Sequence, residues 1–260
     1  MTSNELMKNE ADAEGSGCRP AARLRPGLME RTFTKLFTSP ATVRRTVDLS
    51  PDFRMIDFQH DALKGASWQP GDKVQVKLDG GFITRTYTPI GWDTTQGTTS
   101  FLAYCHGPGP GSAWARSVAA GDMRQFFGPR RSLSLSDTAP SAILFGDETS
   151  FALAAVLQET SAPIMQRSYV FEVNDPHQAE AVLAQLGLHD AIAIQRRDDD
   201  GHLGAICEAI LAAADHASTF ILSGRAPSLQ YVTRTLKAAR IGSRSIRTKA
   251  YWGPGKAGLD

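Results

Sequence analysis

Four consecutive residues, Arg85-Thr86-Tyr87-Thr88, combine side chains that suit a phosphorylated aromatic ligand. The planar guanidinium of Arg85 can grip a pyrophosphate, and the ring of Tyr87 can pack against a flat heterocycle. The hydroxyl or backbone of Thr88 can then hydrogen-bond a polar atom of that heterocycle. The same alternation of polar and β-branched residues is also typical of an ordinary half-buried strand. The motif alone therefore leaves both interpretations open.

A loop rich in glycine and proline follows further along the chain, His106-Gly107-Pro108-Gly109-Pro110-Gly111-Ser112-Ala113-Trp114-Ala115. Its glycines allow the backbone to approach a ligand closely. We expect Ser112 to be the N-cap of a short helix through Val118, with its free amide groups facing phosphate oxygens. Such a loop can also be a simple turn, but its combination with the arginine motif favours a phosphate site.

Two further motifs follow apolar runs in the second half of the chain. Gly146-Asp147-Glu148-Thr149 lies where a dinucleotide would meet the carboxyl end of a parallel sheet. Its two acids would repel phosphates, so they could equally stabilise a helix N-terminus. Ser223-Gly224-Arg225 ends a later strand, and Arg225 could favour a 2′-phosphate on such a dinucleotide. A solvent-exposed charge is the alternative.

The elements that must position these motifs divide the chain into three parts. Residues 1–30 are polar and lack periodicity, which predicts a mobile arm. Residues 31–136 contain short strand-like runs separated by Gly, Pro and Asp turns, which predicts a six-stranded antiparallel β-barrel. The six runs are Ala41–Leu49, Phe53–Phe58, Lys73–Leu78, Ile83–Ile90, Ser100–Cys105 and Met123–Phe127.

In residues 137–260, apolar strands alternate with helices, which predicts a parallel sheet covered on both faces, a doubly wound α/β nucleotide-binding domain. The predicted strands are Ala142–Phe145, Tyr169–Val173, Ala191–Ile194, Thr219–Leu222 and Ile246–Trp252. The predicted helices lie near Ser150–Glu159, His177–Leu186, Leu203–Ala214 and Pro227–Ala239. A barrel followed by such a domain is the plan of ferredoxin-reductase-like flavoenzymes.

Composition and charge narrow the class of protein. The chain of 260 residues is 42% hydrophobic and 21% charged, so it can bury a core. We expect it to be cytoplasmic, since it has no long apolar run and its first residues do not read as a secretory signal. Three widely separated cysteines argue against a disulfide framework or an iron–sulfur cluster. Residues 137–222 carry 13 acidic and 3 basic side chains, whereas residues 223–260 carry 8 basic ones and one acid, Asp260.

Taken together, the motifs resemble those of the siderophore-interacting protein family. Arg85-Thr86-Tyr87-Thr88 is similar to the flavin motif of the wider superfamily, and the other family motifs occur in the same order. They are His106–Ala115, Gly121-Asp122, Gly128-Pro129, Gly146-Asp147-Glu148-Thr149 and Tyr251-Trp252, over roughly residues 31 to 255. One departure is Gly111, where the family usually has alanine, a change that should preserve close approach. Another is Arg225, where the family commonly has an acid, and this arginine suggests the hypothesis of NADPH preference.

The resemblance implies an FAD-dependent oxidoreductase that passes electrons from NADPH or NADH through the flavin to siderophore-bound Fe(III), releasing Fe(II). It implies cofactor-binding roles for Arg85, Thr86, Tyr87, Thr88, His106, Gly107, Gly111, Ser112, Ala113, Trp114, Gly146, Asp147, Glu148, Thr149, Gly224, Arg225 and Trp252. No catalytic residue beyond the flavin and no protein metal ligand is expected. Tyr251-Trp252 could close over the flavin where nicotinamide enters, or could be core packing.

Related siderophore reductases use a basic triad beside the flavin to hold anionic ferric complexes. The resemblance places these roles on Lys73, Arg130 and Arg247, with Arg131 and Lys249 as possible substitutes. Each could also be an ordinary surface cation. The expected partner is a ferric siderophore, with no nucleic acid and no membrane insertion, and we expect a monomer.

Two other functions remain open at this stage. A general NAD(P)H-dependent electron-transfer reductase would share the flavin motif, although it would often carry an iron–sulfur module. A non-catalytic siderophore-binding flavoprotein would need the cations but no nicotinamide oxidation. The sequence does not identify the siderophore or distinguish NADH from NADPH.

Overall fold

The computed structural model describes residues 38–78, 83–135, 140–160 and 166–255. The predicted arm at residues 1–30 and the predicted domain boundary at residues 136 and 137 lie outside these ranges. Within them, the strands form two separate sheets, one antiparallel and one parallel.

The first sheet has seven strands in the described residues, in the order β4-β3-β7-β1-β2-β6-β5, and every neighbouring pair is antiparallel. The strands are β1 Ser39–Ser50, β2 Phe53–Gln59, β3 Lys73–Lys77, β4 Thr84–Tyr87, β5 Pro89–Asp93, β6 Thr98–Tyr104 and β7 Met123–Arg130. One helix, α1 Pro110–Ser117, lies between β6 and β7. Phe58, Phe101 and Phe126 pack against one another in the core of this sheet, with no side-chain exposure.

The run Ile83–Ile90, predicted as one strand, is divided at Thr88 into β4 and β5. These two strands are the opposite edges of the sheet, because β4 pairs with β3 whereas β5 pairs with β6. The chain therefore passes from one edge strand, β4, to the opposite edge strand, β5, through the single buried residue Thr88. The sheet must curve until its edges meet at Thr88, although no hydrogen bonds between β4 and β5 are present among the described residues.

The second sheet is parallel, with the order β10-β9-β8-β11-β12. Its strands are β8 Ser141–Asp147, β9 Gln166–Val173, β10 Ile192–Gln195, β11 Thr219–Arg225 and β12 Ile246–Trp252. The connecting helices are α2 Phe151–Thr160, α3 Pro176–Gln185, α4 Leu203–Ala213 and α5 Ala226–Ala238. The predicted fold class, an antiparallel β domain followed by a doubly wound α/β domain, is confirmed.

The two faces of the parallel sheet are covered by different helices. Ile143 and Phe145 of β8 pack beneath α4 and α5, whereas Leu144 between them packs on the opposite face with α2 and α3. The core on the side of α2 and α3 also contains Phe53 and Leu102 of the antiparallel sheet. One apolar core is therefore shared by the two sheets.

Candidate functional site

Arg85 lies over the N-terminus of α1. A Cβ placed on Gly111 would be 3.1 Å from both Cγ and Nε of Arg85, so glycine allows the arginine stem to lie directly against the helix. The N-cap residue is Gly109, and no side chain caps the helix. First-turn amides without a side-chain partner attract anions, and the guanidinium of Arg85 adds a full positive charge beside them. This arrangement can hold a phosphate group.

The expectation that Ser112 caps this helix is wrong. The helix begins at Pro110, which fits the first helical position because its missing N–H needs no partner there. Ser112 is buried and donates its hydroxyl to the His106 carbonyl oxygen at 2.6 Å. It therefore closes the glycine-rich loop upon itself and fixes the distance between the loop and the helix.

Tyr87 and Trp114 form an aromatic wall next to this phosphate subsite. The Tyr87 ring stacks on Phe101, with centroids 5.6 Å apart, and lies 5.7 Å from Trp114. Burial raises the pKa of Tyr87, so its hydroxyl stays neutral. The indole Nε1 of Trp114 is buried and has no hydrogen-bond partner among the described residues. Because a buried donor without a partner is costly, this group suits a polar atom of a bound ligand.

Thr88 connects this wall to the parallel-sheet domain. Its hydroxyl lies 3.5 Å from the Tyr251 hydroxyl, and either group can be the donor. Tyr251 comes from β12, so the last strand of the second domain ends against the motif at Arg85–Thr88. The pairing of β12 with β11 is irregular here, since Ala250 pairs with Gly224 and Trp252 with Arg225, which leaves Tyr251 as an extra residue. The role of Tyr251-Trp252 as a cover over the flavin stays a prediction.

Asp147 and Trp252 meet at the carboxyl edge of the parallel sheet. The Asp147 carboxylate accepts a hydrogen bond of 2.9 Å from the Thr149 amide and therefore caps the helical turn Glu148–Ser150. It also accepts from the Thr149 hydroxyl and from Trp252 Nε1. Complete burial and the adjacent Glu148 raise the pKa of Asp147 to about 6, although both of these hydroxyl and indole donors oppose the shift. The capping interpretation of the acidic pair thus holds for Asp147.

Glu148 has a different partner, Arg196, which sequence reasoning missed. Arg196 follows β10 and donates to the Glu148 carboxylate at 2.8 Å, with 4% of the Glu148 side chain exposed. Both residues lie just beyond the carboxyl ends of their parallel strands. The rule that such ends meet at one edge could have placed Arg196 in the site.

Gly224 and Arg225 lie at the same edge, where the strand order reverses between β8 and β11. Gly224 has φ of 108°, and a Cβ there would lie 2.6 Å from the Asp147 carboxylate, so no side chain fits. The Arg225 guanidinium donates to Asp200 at 2.8 Å and to the Ser228 hydroxyl at 2.9 Å. It is neither an exposed surface charge nor an unpaired one. Its proposed role toward a 2′-phosphate stays a prediction.

The three predicted substrate cations come from three different strands of the two sheets. Lys73 is the cross-strand partner of Arg130, and it is adjacent to Val74, the cross-strand partner of Tyr87. Arg130 also donates to Gln75 on β3. Arg247, on β12, donates to the Ser134 carbonyl oxygen at 2.8 Å, in the segment that follows β7.

Arg247 lies on the same strand as Tyr251, whose hydroxyl contacts Thr88. The substitutes Arg131 and Lys249 occupy neighbouring positions on these same segments. Lys73 and Arg130 are thus paired across β3 and β7, and Arg247 contacts the segment that follows β7. Their role toward a substrate stays a prediction.

Comparisons with known proteins concern the fold and one segment of the chain. Residues 74–133 match the model of the siderophore-interacting FAD-binding domain. The siderophore-interacting protein SipS from Aeromonas hydrophila shares the fold, with a TM-score of 0.71 and 18% identity over 85% of this chain and 93% of that one. A siderophore utilization protein from T. fusca gives a TM-score of 0.71 and 21% identity over 86% and 95% of the two chains.

A ferredoxin reductase of carbazole 1,9a-dioxygenase is also similar, with a TM-score of 0.66 and 17% identity over 82% of this chain and 69% of that chain. No curated protein sequence matches the chain. The fold is therefore that of ferredoxin-reductase-like proteins. Within it, residues 74–133 match the siderophore-interacting FAD-binding domain, in agreement with the resemblance inferred from the motifs.

The residues present fit FAD. Arg85 over the α1 N-terminus suits the pyrophosphate, and the unpartnered Trp114 Nε1 beside Tyr87 suits a polar ligand atom. The matched segment spans both Arg85 and Trp114. None of the helices in the described ranges has the length and hydrophobicity needed to span a bilayer.

Proposed function

We propose that this protein is a ferric-siderophore reductase that passes electrons from NAD(P)H through FAD to siderophore-bound Fe(III) and so releases Fe(II). The match to a siderophore-interacting FAD-binding domain supports the flavin and the class of substrate. The observation that carries the proposal is that Lys73 pairs with Arg130 across β3 and β7, while Arg247 donates to the Ser134 carbonyl oxygen in the segment that follows β7. An anionic metal complex is the substrate for which such a grouping is suited.

Bound FAD would supply the conversion between two-electron hydride transfer from nicotinamide and one-electron reduction of ferric iron. The chain itself supplies position and charge. Arg85 and the N-terminus of α1 bind the pyrophosphate, while Tyr87 and Trp114 orient the aromatic part of the cofactor. The parallel-sheet domain supplies the edge at which the nicotinamide approaches, and Tyr251 links that edge to Thr88.

The cations act on the substrate complex and not on the metal. Lys73, Arg130 and Arg247 attract the negative siderophore complex and hold it within electron-transfer distance of the flavin. Ferric iron is a hard ion that siderophore oxygens bind strongly, whereas ferrous iron has a lower charge and is bound more weakly. Reduction therefore releases the iron without any ligand from the protein.

One anaerobic spectroscopic experiment tests the proposal. The purified protein, reconstituted with FAD, is mixed with NADPH or NADH and then with an anionic ferric tris-catecholate complex in the presence of a ferrous chelator. We expect the flavin absorbance to bleach and then return as the ferrous chelate forms. A flavin that NAD(P)H reduces but the ferric complex does not reoxidise would instead favour a general electron-transfer reductase. A flavin that neither nicotinamide bleaches would favour a binding protein.

The triple variant Lys73→Gln, Arg130→Gln, Arg247→Gln tests the substrate site. We expect kcat/KM for the anionic complex to fall by about tenfold or more, because three charge contacts are lost, while FAD stays bound. A neutral ferric tris-hydroxamate complex should be affected much less. The matched control replaces three exposed cations elsewhere on the surface, Arg44, Lys64 and Lys237. Equal effects of the two triple variants would contradict the assignment.

A further inference from the structure

Arg196 makes an unusual number of polar contacts at the carboxyl edge of the parallel sheet. Its guanidinium donates to the Glu148 carboxylate and to the Asn174 side-chain oxygen, both at 2.8 Å, and to the Glu172 carbonyl oxygen at 3.1 Å. It also lies 5.8 Å from the centroid of the Trp252 ring. One side chain thus contacts residues that follow or end three different strands, β8, β9 and β12.

Two of these partners extend the network into the antiparallel sheet. The Tyr104 hydroxyl, at the end of β6, donates to Glu148 at 3.2 Å and accepts from the Asn174 amide at 2.8 Å. Glu148 and Asn174 are both held by Arg196. The orientation of Tyr104 is therefore set by two groups of the other domain. Arg196 contacts both groups, and the Asn174 backbone amide also donates to Glu148 at 2.6 Å.

Tyr104 in turn supports the glycine-rich loop. Its ring stacks on the ring of His106, with centroids 4.7 Å apart and an angle of 23° between the planes. The opposite partner is Phe53, at 4.8 Å. His106 begins the loop that leads to Gly111 and Arg85, so a change in the Tyr104 ring would reach the phosphate subsite directly.

The charges around Arg196 show why this residue is difficult to replace. Three carboxylates lie buried at the same edge, those of Asp147, Glu148 and Glu172. Burial alone would lower the pKa of Arg196, but these carboxylates outweigh it and raise the pKa. His202 also faces Glu172, at 2.8 Å. A buried network of this kind is seldom optimal for stability alone, whereas it can fix a unique geometry.

We propose that Arg196 is a positioning residue that couples the donor edge of the parallel sheet to the flavin loop. It orients Glu148 and Asn174, these two hold the Tyr104 hydroxyl, and the Tyr104 ring orients His106. The inference rests on the proposed function, since it takes FAD to bind at this loop and the electron donor to approach this edge. It extends that function by making flavin properties depend on a residue of the other domain.

The test replaces Arg196 with lysine, which keeps the positive charge but cannot donate to three acceptors in one plane. Arg197→Lys is the matched control, because Arg197 is adjacent, exposed and paired with Asp199 instead. The readouts are the FAD dissociation constant and the flavin midpoint potential, both measured without any siderophore. We expect Arg196→Lys to weaken FAD binding by roughly tenfold and to shift the potential, whereas Arg197→Lys leaves both unchanged.

A double-mutant cycle with Tyr104 separates positioning from a general loss of structure. Tyr104→Phe removes only the hydroxyl, so it should reproduce the change in FAD binding. Adding it to Arg196→Lys should then cause little further change, because both substitutions break one pathway. If the two effects multiply, or if Arg196→Lys behaves like Arg197→Lys, the inference is wrong.

Should Arg196→Lys fail to fold, the pair Arg196→Gln with Glu148→Gln removes both charges and leaves a neutral hydrogen-bonding pair. The prediction for the flavin is the same, and a wild-type flavin in this folded variant would overturn the inference. A protein that shows the coupling but reduces no siderophore would overturn only the proposed function.

Discussion

The indole Nε1 of Trp252 donates a hydrogen bond of 2.6 Å to the Asp147 carboxylate, which joins the end of β12 to the end of β8. This carboxylate is completely buried, and its pKa lies near 6. In the unfolded chain the same group titrates near pH 4. Between these values the folded protein binds more protons than the unfolded chain does, so the free energy of unfolding falls as the pH rises.

Asp147→Asn should abolish this pH dependence. The stabilising contribution of protonated Asp147 is fully present below about pH 4 and is lost above about pH 6, and a shift of about two units corresponds to roughly 3 kcal/mol. The variant should therefore gain about that much relative to wild type over this interval, measured by denaturant unfolding at each pH. For Asp215→Asn, the free energy of unfolding relative to wild type should instead fall as the pH rises, because hydrogen bonds from Ser218 and Ala217 lower the pKa of Asp215. Parallel curves for Asp147→Asn and wild type would contradict the prediction.

Gly224→Ala should be strongly destabilising because two causes act together. The residue has φ of 108°, and the new Cβ would overlap the Asp147 carboxylate. Gly187 supplies the matched control, since it has φ of 75° and nothing within 4 Å of a Cβ. Gly187→Ala should cost about 1–2 kcal/mol, for the backbone alone. Gly224→Ala should lose about 1–3 kcal/mol more unfolding free energy than Gly187→Ala, because its Cβ overpacks the site. Thermal unfolding measures both variants, and equal losses would mean that Asp147 moves aside freely.

The contact between Gly111 and Arg85 predicts a graded effect on FAD binding. Alanine at residue 111 requires Arg85 to move by only a few tenths of an ångström, whereas leucine must displace its guanidinium. We expect Gly111→Leu to weaken FAD binding by about tenfold or more, which is about 1.4 kcal/mol, and Gly111→Ala to weaken it much less. Fluorescence titration with FAD measures both. Gly204→Ala, in open space on α4, controls for effects of the substitution itself. Unchanged affinity in Gly111→Leu would remove Arg85 from the pyrophosphate site.

The pairing of Arg225 with Asp200 makes the hypothesis of NADPH preference testable. If Arg225 is to meet a 2′-phosphate, its bond to Asp200 competes with that role. Asp200→Asn should lower the KM for NADPH relative to NADH by roughly threefold to tenfold, because it removes the competing charge. Asparagine tolerates the backbone at this position, where φ is 57°. When Arg225 is already replaced by glutamine, Asp200→Asn should not change the ratio of the KM values for NADPH and NADH. A change in that ratio would mean that other residues determine the specificity.

Sequence reasoning recovered the elements because their patterns are local. The predicted strand Ile246–Trp252 coincides with β12, and the apolar runs that precede each helix all became parallel strands. The division of Ile83–Ile90 at Thr88 could not be predicted, since it depends on which strands pair with each half. For the site, the Arg85 motif and the glycine-rich loop were found because both are contiguous in sequence.

Contacts between distant residues explain what the sequence did not reveal. Ser112 was expected to cap a helix, yet Pro110 starts it and the Ser112 hydroxyl turns back to His106. Arg196 and Tyr104 stand 92 positions apart by their numbers and are linked through Glu148 and Asn174. No local pattern marks either residue, because their roles depend on the packing of one sheet against the other.

The ring of Phe53, on β2, stacks on Phe151, the first residue of α2, with centroids 5.3 Å apart and nearly parallel planes. Both rings lie in the apolar core that the two sheets share. Neither sheet can therefore be excised as an independent folding unit without exposing a large aromatic surface to water. The isolated flavin half would aggregate or melt at low temperature, and the intact chain should unfold in a single cooperative transition.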